Sequence, residues 1–332
     1  MKRITIIKPD DFHIHLRDGA ILQSSLADCA PYFARVMVMP NIIPPVASVK
    51  TMVSYEKQIR KASDEITPLM TFKLLKSLSG DEIHAMKDGG AIAGKLYPAG
   101  STTNSSDGIK SWKEIRELLH VMSDIGLVLS IHGEDPSVFS LDREKEFIPQ
   151  ILEIAKEFPR LKIVFEHLSS KDGIEAVEKG PENLVGTITV QHLLLTLDDI
   201  IGGGLDPHNF CKPVLKRPED RDYIQKTVLC GNRKFFFGSD SAPHLINNKE
   251  RAQGSAGCYT SPVALPLLVQ FFDKNNKLDL LENFVSRYGA DFYGLKVNDE
   301  KITLVQKNWI VPEEYSGIKP IFSGKEIKWN IE

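Results

Sequence analysis

The chain has 332 residues, 42% hydrophobic and 26% charged, with a formal net charge of −3. That length bounds one large domain or two small ones, and the mild charge gives no electrostatic case for nucleic acid or an anionic membrane surface as a partner. No apolar run reaches the length of a membrane span, the start MKRITIIKPDDFH turns polar too early for an export signal, and the four cysteines (Cys29, Cys211, Cys230, Cys258) form no C-x-x-C pair; the setting expected is cytoplasmic, with reduced thiols.

In chain order the apolar runs are DFHIHL (11–16), ARVMVMP (34–40), TPLMTFKL (67–74), GAIAGKLYP (90–98), GLVLSIHGE (126–134), KIVFEHL (162–168), VGTITVQHL (185–193) and KFFFGSD (234–240). Most show little alternation, as strands covered on both faces do. Between them lie helical stretches such as 48–63, 109–125 and 143–158. SPVALPLLVQFF from about 262 and LLENFVSRYG follow as closing helices, and the tail KWNIE offers a marginal strand. No repeat or linker divides the chain. Eight β-then-α units predict one α/β domain over 1–332, a (β/α)8 TIM barrel with a short C-terminal extension. An open doubly wound sheet is disfavoured because no G-x-G-x-x-G follows the first strand.

Strand after strand ends in a group that binds metal or substrate: His13 and His15, Asn41, Lys95, His132, His167 and Asp240. In a barrel these ends meet at one mouth. Side chains of a strand alternate, so His13 and His15 point inward together, while Phe12 and Ile14 face the helices. A lone H-x-H is more often a pair of packed histidines than a metal site; His132 and His167 at two further strand ends change that balance. Of the remaining histidines, His84 and His120 read as surface residues, His208 as an unassigned loop residue, and His192, ending the seventh run, as a supporting one. Lys95 taken alone would be a buried stem reaching a carboxylate. Among cation-binding histidines its ammonium is repelled, loses its proton readily, and as a neutral amine can add carbon dioxide to become a carbamate with an oxygen for each of two metals. Asp240 reads either as a helix cap or as a ligand that also holds a proton in transit. Arg17 continues the parity of His13 and His15. With Asn41 and His244 near the mouth, it points to an anionic substrate group rather than a surface ion pair.

FHIHLRDG, VMPN, KLYPAGSTTNSSDG, HGE, FEH, CKPVLKR and GSDSAPH, in that order, resemble the dihydroorotases of the short, single-domain kind within the amidohydrolase superfamily. Hydantoinases and other cyclic-amide relatives usually carry an added β-sandwich, for which little sequence precedes His13. The resemblance implies two divalent ions, with zinc expected. His13, His15, carboxylated Lys95 and Asp240 would hold one; Lys95, His132 and His167 would hold the other. It implies a substrate carboxylate on Arg17, Asn41 and His244, with main-chain contacts at Lys212 and Ala256; the family often has Leu where this chain has Lys212. The activity implied is reversible closure of N-carbamoyl-L-aspartate to (S)-dihydroorotate in pyrimidine biosynthesis, through a hydroxide bridging the metals and a proton carried by Asp240. A homodimer is implied as well. The polar stretch GSTTNSSDG (100–108), with no large apolar anchor, is expected to be mobile when the site is empty and to form a lid whose Thr102 and Thr103 reach the substrate. Two other readings stay open: an amidohydrolase for a neutral cyclic amide or ester, which Arg17 opposes, and a metal-free scaffold, which the complete ligand set opposes.

Overall fold

The computed structural model describes residues 2–332. In chain order, β1 (Arg3–Ile7) precedes β2 (Asp10–Ile14), β3 (Arg35–Val38), β4 (Thr67–Lys73), β5 (Ala93–Leu96), β6 (Val128–Ile131), β7 (Ile163–Phe165), β8 (Leu184–Ile188) and β9 (Phe235–Phe237); β10 (Lys301–Ile310) and β11 (Glu326–Ile331) follow. Strands β2 to β9 stand side by side in sequence order, all parallel. Past the last strand, Asp240 N donates to His13 O at 2.8 Å and His15 N to Ser241 O at 2.9 Å, drawing the first and last strands together. The buried Asp11 carboxylate reinforces that seam by accepting from Ser239 N (2.8 Å) and Oγ (2.5 Å). The architecture is the expected (β/α)8 barrel, and each apolar run overlaps one of its strands.

The barrel interior is built in layers at a spacing of two. Its floor takes one apolar side chain from every strand: Phe12, Met37, Leu69, Ala93, Val128, Val164, Val185 and Phe236. Two residues further along most strands the layer turns polar, with Thr71, Lys95, Ser130, Glu166 and Thr187, all buried. Two further again stand Asn41, Lys73, Tyr97, His132, Thr189 and Asp240. Alternation thus turns an apolar floor into a polar mouth within five residues. Phe12 departs from its expected outward position. Asp11 pairs with Val36 but Ile14 with Val38, so a bulge inserts one residue and turns Phe12 into the floor. There its ring stacks on Tyr293 at 5.1 Å, while Ile14 faces the helices as expected.

The expected helices form at Val49–Ala62, Arg116–Ile125 (entered through a 3-10 turn, Trp112–Ile115) and Arg143–Glu157. The closing region is Ala264–Lys274, Leu278–Glu282, a π-helical turn Asn283–Arg287 and Tyr288–Tyr293. VGTITVQHL overruns its strand: β8 stops at Ile188, and Thr189 caps a short helix, Val190–Leu194, so His192 is a helical residue. The tail strand is β11, but it does not stand alone. It pairs antiparallel with β10, which pairs with β1, joining both ends of the chain in a three-stranded sheet outside the barrel. Trp329 Nε1 ties this sheet to Asp273 at 3.2 Å.

Candidate active site

A cavity opens at the C-terminal ends of the barrel strands. His13, His15, Arg17, Asn41, Thr102, Thr103, His132, His167, Lys212, Asp240 and Ala256 line it. Lys95 is fully buried beside it, its Nζ 5.4 Å from the centre of the Tyr97 ring. His244 touches the wall through Arg17 Nη2 (3.2 Å) and the Ala256 carbonyl (3.0 Å). Every residue expected from the sequence to hold metal or substrate is therefore in or against one cavity.

Buried hydrogen bonds fix the imidazoles so that one nitrogen of each ring is aimed. His13 Nδ1 lies 2.9 Å from Glu166 Oε2 and His15 Nδ1 lies 2.8 Å from Asn41 Oδ1, which turns both Nε2 atoms toward Asp240 Oδ1 at 3.4 and 3.2 Å. Ligand atoms of His13, His15 and Asp240 all fall within 4.8 Å of one another, the spacing of a possible metal group. Glu134 Oε2 holds His132 Nε2 at 2.8 Å, leaving His132 Nδ1 facing His167 Nε2 at 3.1 Å. Two ligands at about 2.0–2.1 Å from one tetrahedral ion would stand about 3.3 Å apart. Gly238 makes room for the first pair, since a Cβ there would meet His13 Cβ at 3.0 Å.

Three of these positions carry left-handed backbone without being glycine: Arg17 (φ 61°), His167 (φ 43°) and Asp240 (φ 45°). Each such residue costs on the order of 1–3 kcal/mol and clusters of them mark functional sites. For His167 the turn matters directly. Glu166 is the inward residue by parity, and the left-handed backbone, with His167 N donating to Thr187 Oγ1 at 2.7 Å, brings the next side chain to the mouth as well.

Burial pushes the His13, His15 and His167 rings below their ordinary pKa, toward the neutral form that ligates metals. Burial likewise lowers Lys95 to about 8, against the pull of Glu166 and Asp240. Its Nζ has no hydrogen-bond partner among the described residues. Burial raises Asp240, which four cationic or imidazole neighbours oppose. Burial would also raise Glu166, but His13 and Lys95 outweigh it and hold that carboxyl at about 2. The donor set of imidazoles, one carboxylate and one unpartnered buried amine fits divalent transition metals.

Sequence reasoning missed five residues here. Glu166 braces His13 and accepts from Thr187 Oγ1 (2.6 Å) and Ser130; Tyr97 lines the cavity. Both follow a floor residue at even spacing, the signal that would have found them. Glu134 follows His132 by two. Lys73, also at even spacing, reaches up to the 100–108 stretch and donates to Asn104 O (2.8 Å) and Asp107. Asn41 Nδ2 holds Thr103 O at 3.3 Å and Asn104 Nδ2 holds Asn41 O at 2.9 Å, so polar anchors tie down the stretch that lacks apolar ones. Lys249 has no sequence signal. Its Nζ clamps the carbonyls of Phe210 (2.9 Å) and Gly257 (2.7 Å), joining the two loops that carry Lys212 and Ala256. His192 Nε2 braces the first of them at Pro213 O, 2.9 Å away. His208 pairs with Glu250 at 2.9 Å, and His84 and His120 are exposed.

The model of the Amidohydrolase family matches residues 5–302. A dihydroorotase of Marinomonas sp. (strain MWYL1) is 44% identical over 343 aligned residues, covering all of both chains, and one of Shewanella oneidensis is 42% identical with the same coverage. Among solved structures, a dihydroorotase from Campylobacter jejuni superposes with a TM-score of 0.93 at 37% identity, covering 99% of this chain and 97% of that one. The Saccharomyces cerevisiae dihydroorotase in complex with 5-fluoroorotic acid gives 0.94 at 33%, covering 100% and 99%. An L-hydantoinase from Arthrobacter aurescens, at 18% identity and 0.86, shares the fold; this chain covers 83% of it. Full-length identity to the one group, against likeness of fold alone to the other, places the branch: this chain belongs to the amidohydrolase family and, within it, to the dihydroorotases.

Proposed function

We propose that this enzyme closes N-carbamoyl-L-aspartate to (S)-dihydroorotate and reopens it at a binuclear centre, the ring-forming step of pyrimidine biosynthesis. His13, His15, Asp240 and a carbamate on Lys95 would hold one divalent ion, and the same carbamate with His132 and His167 the other, zinc being the metal favoured by imidazole and carboxylate donors. When bound, such ions polarise the ring carbonyl and make a water acidic enough to attack near neutral pH. The protein supplies the rest. Glu166, Asn41 and Glu134 fix three imidazoles in the orientation that ligation needs. Arg17, with Asn41 and His244, takes the substrate carboxylate, and Lys212 and Ala256 offer main-chain contacts on the opposite loops. Thr102 and Thr103 close over the ring and exclude water. Asp240 Oδ1, raised by burial, accepts the proton of the attacking water and delivers it to the leaving ring nitrogen.

The observation that carries this reading is the meeting of Arg17 with His13, His15 and Asp240 in one cavity. A neutral ring would leave the guanidinium without an anion. The test compares ring opening of dihydroorotate and dihydrouracil by protein of measured metal content; equal rates would move the substrate class away from acids. Closure consumes a proton, since a dianion becomes a monoanion, so the equilibrium is expected to shift toward dihydroorotate as pH falls. We also propose a cytoplasmic homodimer. The four free cysteines support reducing surroundings, and no helix among the described residues is long and apolar enough to cross a membrane. Light scattering at micromolar concentration checks the dimer.

A further inference from the structure

Tyr97 follows Lys95 by two residues, so its side chain also turns inward, and it lines the cavity together with Arg17, His132 and Asp240. It is held firmly. Its backbone carbonyl accepts from Ile109 N at 2.9 Å, where the 100–108 stretch returns to the barrel. Its ring lies 5.9 Å from Lys73 Nζ and 6.3 Å, centre to centre, from the His132 ring. Only 2% of the residue is exposed, and among the described residues the hydroxyl has no hydrogen-bond partner. Two other cavity groups are unpartnered, Lys95 Nζ and His167 Nδ1, and both belong to residues of the proposed metal centre. The tyrosine hydroxyl has no such duty. A buried hydroxyl without a partner costs about 1–3 kcal/mol, and a phenylalanine would fill the same space without it. Its place at the cavity wall calls for an acceptor that arrives with the ligand.

We propose that the Tyr97 hydroxyl is a substrate-binding group that donates a hydrogen bond to a ring carbonyl oxygen of the bound cyclic amide. This rests on the dihydroorotase reading. The ring carbonyls are acceptors that Arg17, itself only a donor, leaves for others once the carboxylate occupies it, and a neutral phenol donor suits a neutral oxygen that gains charge as the ring opens.

The test is Tyr97→Phe, which removes one oxygen atom and keeps the ring. The expected result is a loss of about 10- to 100-fold in kcat/KM for dihydroorotate, the scale of one hydrogen bond to a charged or charging acceptor. Metal content per chain should be unchanged and Tm equal to wild type or higher, because nothing in the fold uses the hydroxyl. A kcat/KM within twofold of wild type overturns the proposal. So does loss of metal in the variant, which would assign the hydroxyl to the metal centre, or a Tm several degrees lower, which would make it structural. A wild-type sample inert toward dihydroorotate would sink the functional reading instead, and the Tm comparison would still decide whether the hydroxyl serves the fold.

Discussion

The two walls of the cavity are built on different principles. One wall is made of strand ends. Its side chains are aimed by the alternation of the strands and braced by buried carboxylates and an amide, with Glu166 on His13, Asn41 on His15 and Glu134 on His132. The other wall is made of loops, and two buried lysines hold it. Lys73 ties the 100–108 stretch through Asn104 O and Asp107, and Lys249 clamps the 210 and 257 loops through their carbonyls. Two carboxylates and an amide brace the imidazoles of the strand wall, and two ammonium groups brace the loops. A rigid wall suits ligands that must stay within tenths of an ångström; a wall of latched loops suits a substrate that has to enter and leave.

The contrast predicts that damage to the strand wall removes metal and turnover together, while damage to the loop wall spares metal. Lys95→Ala should have the largest effect. It deletes the proposed bridge, so metal content and activity should fall in parallel, turnover by ~10³-fold or more, as removal of several kcal/mol of metal assistance implies. A variant that kept both would make Lys95 an ordinary buried lysine. Asp240→Asn sharpens the division within the strand wall. Most of the metal should remain while turnover drops by about 10²–10⁴-fold, the range for a general acid–base group; near-normal turnover would take Asp240 out of proton transfer. Glu166→Gln should leave ligation possible but loosen His13, with metal affinity about 10–100-fold weaker in a competition titration.

On the loop wall, Thr102→Ala with Thr103→Ala should lower turnover by about tenfold, near the lower end for two hydroxyl contacts, with metal content and Tm intact. Wild-type turnover would make the stretch a bystander. The smallest effect belongs to Lys249→Met. It touches no ligand and should raise KM for dihydroorotate by about threefold with little change in kcat, since it frees two carbonyls and loosens the loops. Unchanged KM would show that the 210 and 257 loops hold their places without the clamp.

The strand wall was the legible one. Parity, strand counting and barrel convergence are local rules, and they brought His13, His15, Lys95, His132, His167 and Asp240 to one mouth. The same rule reaches Tyr97, Lys73 and Glu166, which sit at the same even spacing. It failed at Phe12, where a bulge between Asp11 and Ile14 shifts the alternation in a way composition does not announce. The loop wall was harder. Lys249 lies in a short helix, 39 residues from Phe210 and eight from Gly257, and no periodicity links position 249 to positions 210 and 257. The terminal sheet was half seen for the same reason: β1 and β10 pair across almost the whole chain, and only the tail strand stood out.

The measurement that bears most directly on this account is elemental analysis of protein purified without chelator, made on the same sample whose dihydroorotate hydrolysis is assayed. Close to two divalent ions per chain in the active sample is the predicted result, since the proposed centre draws ligands for two from the strand wall. Full activity with one ion or none would contradict the binuclear reading and the assignment of Lys95 as its bridge.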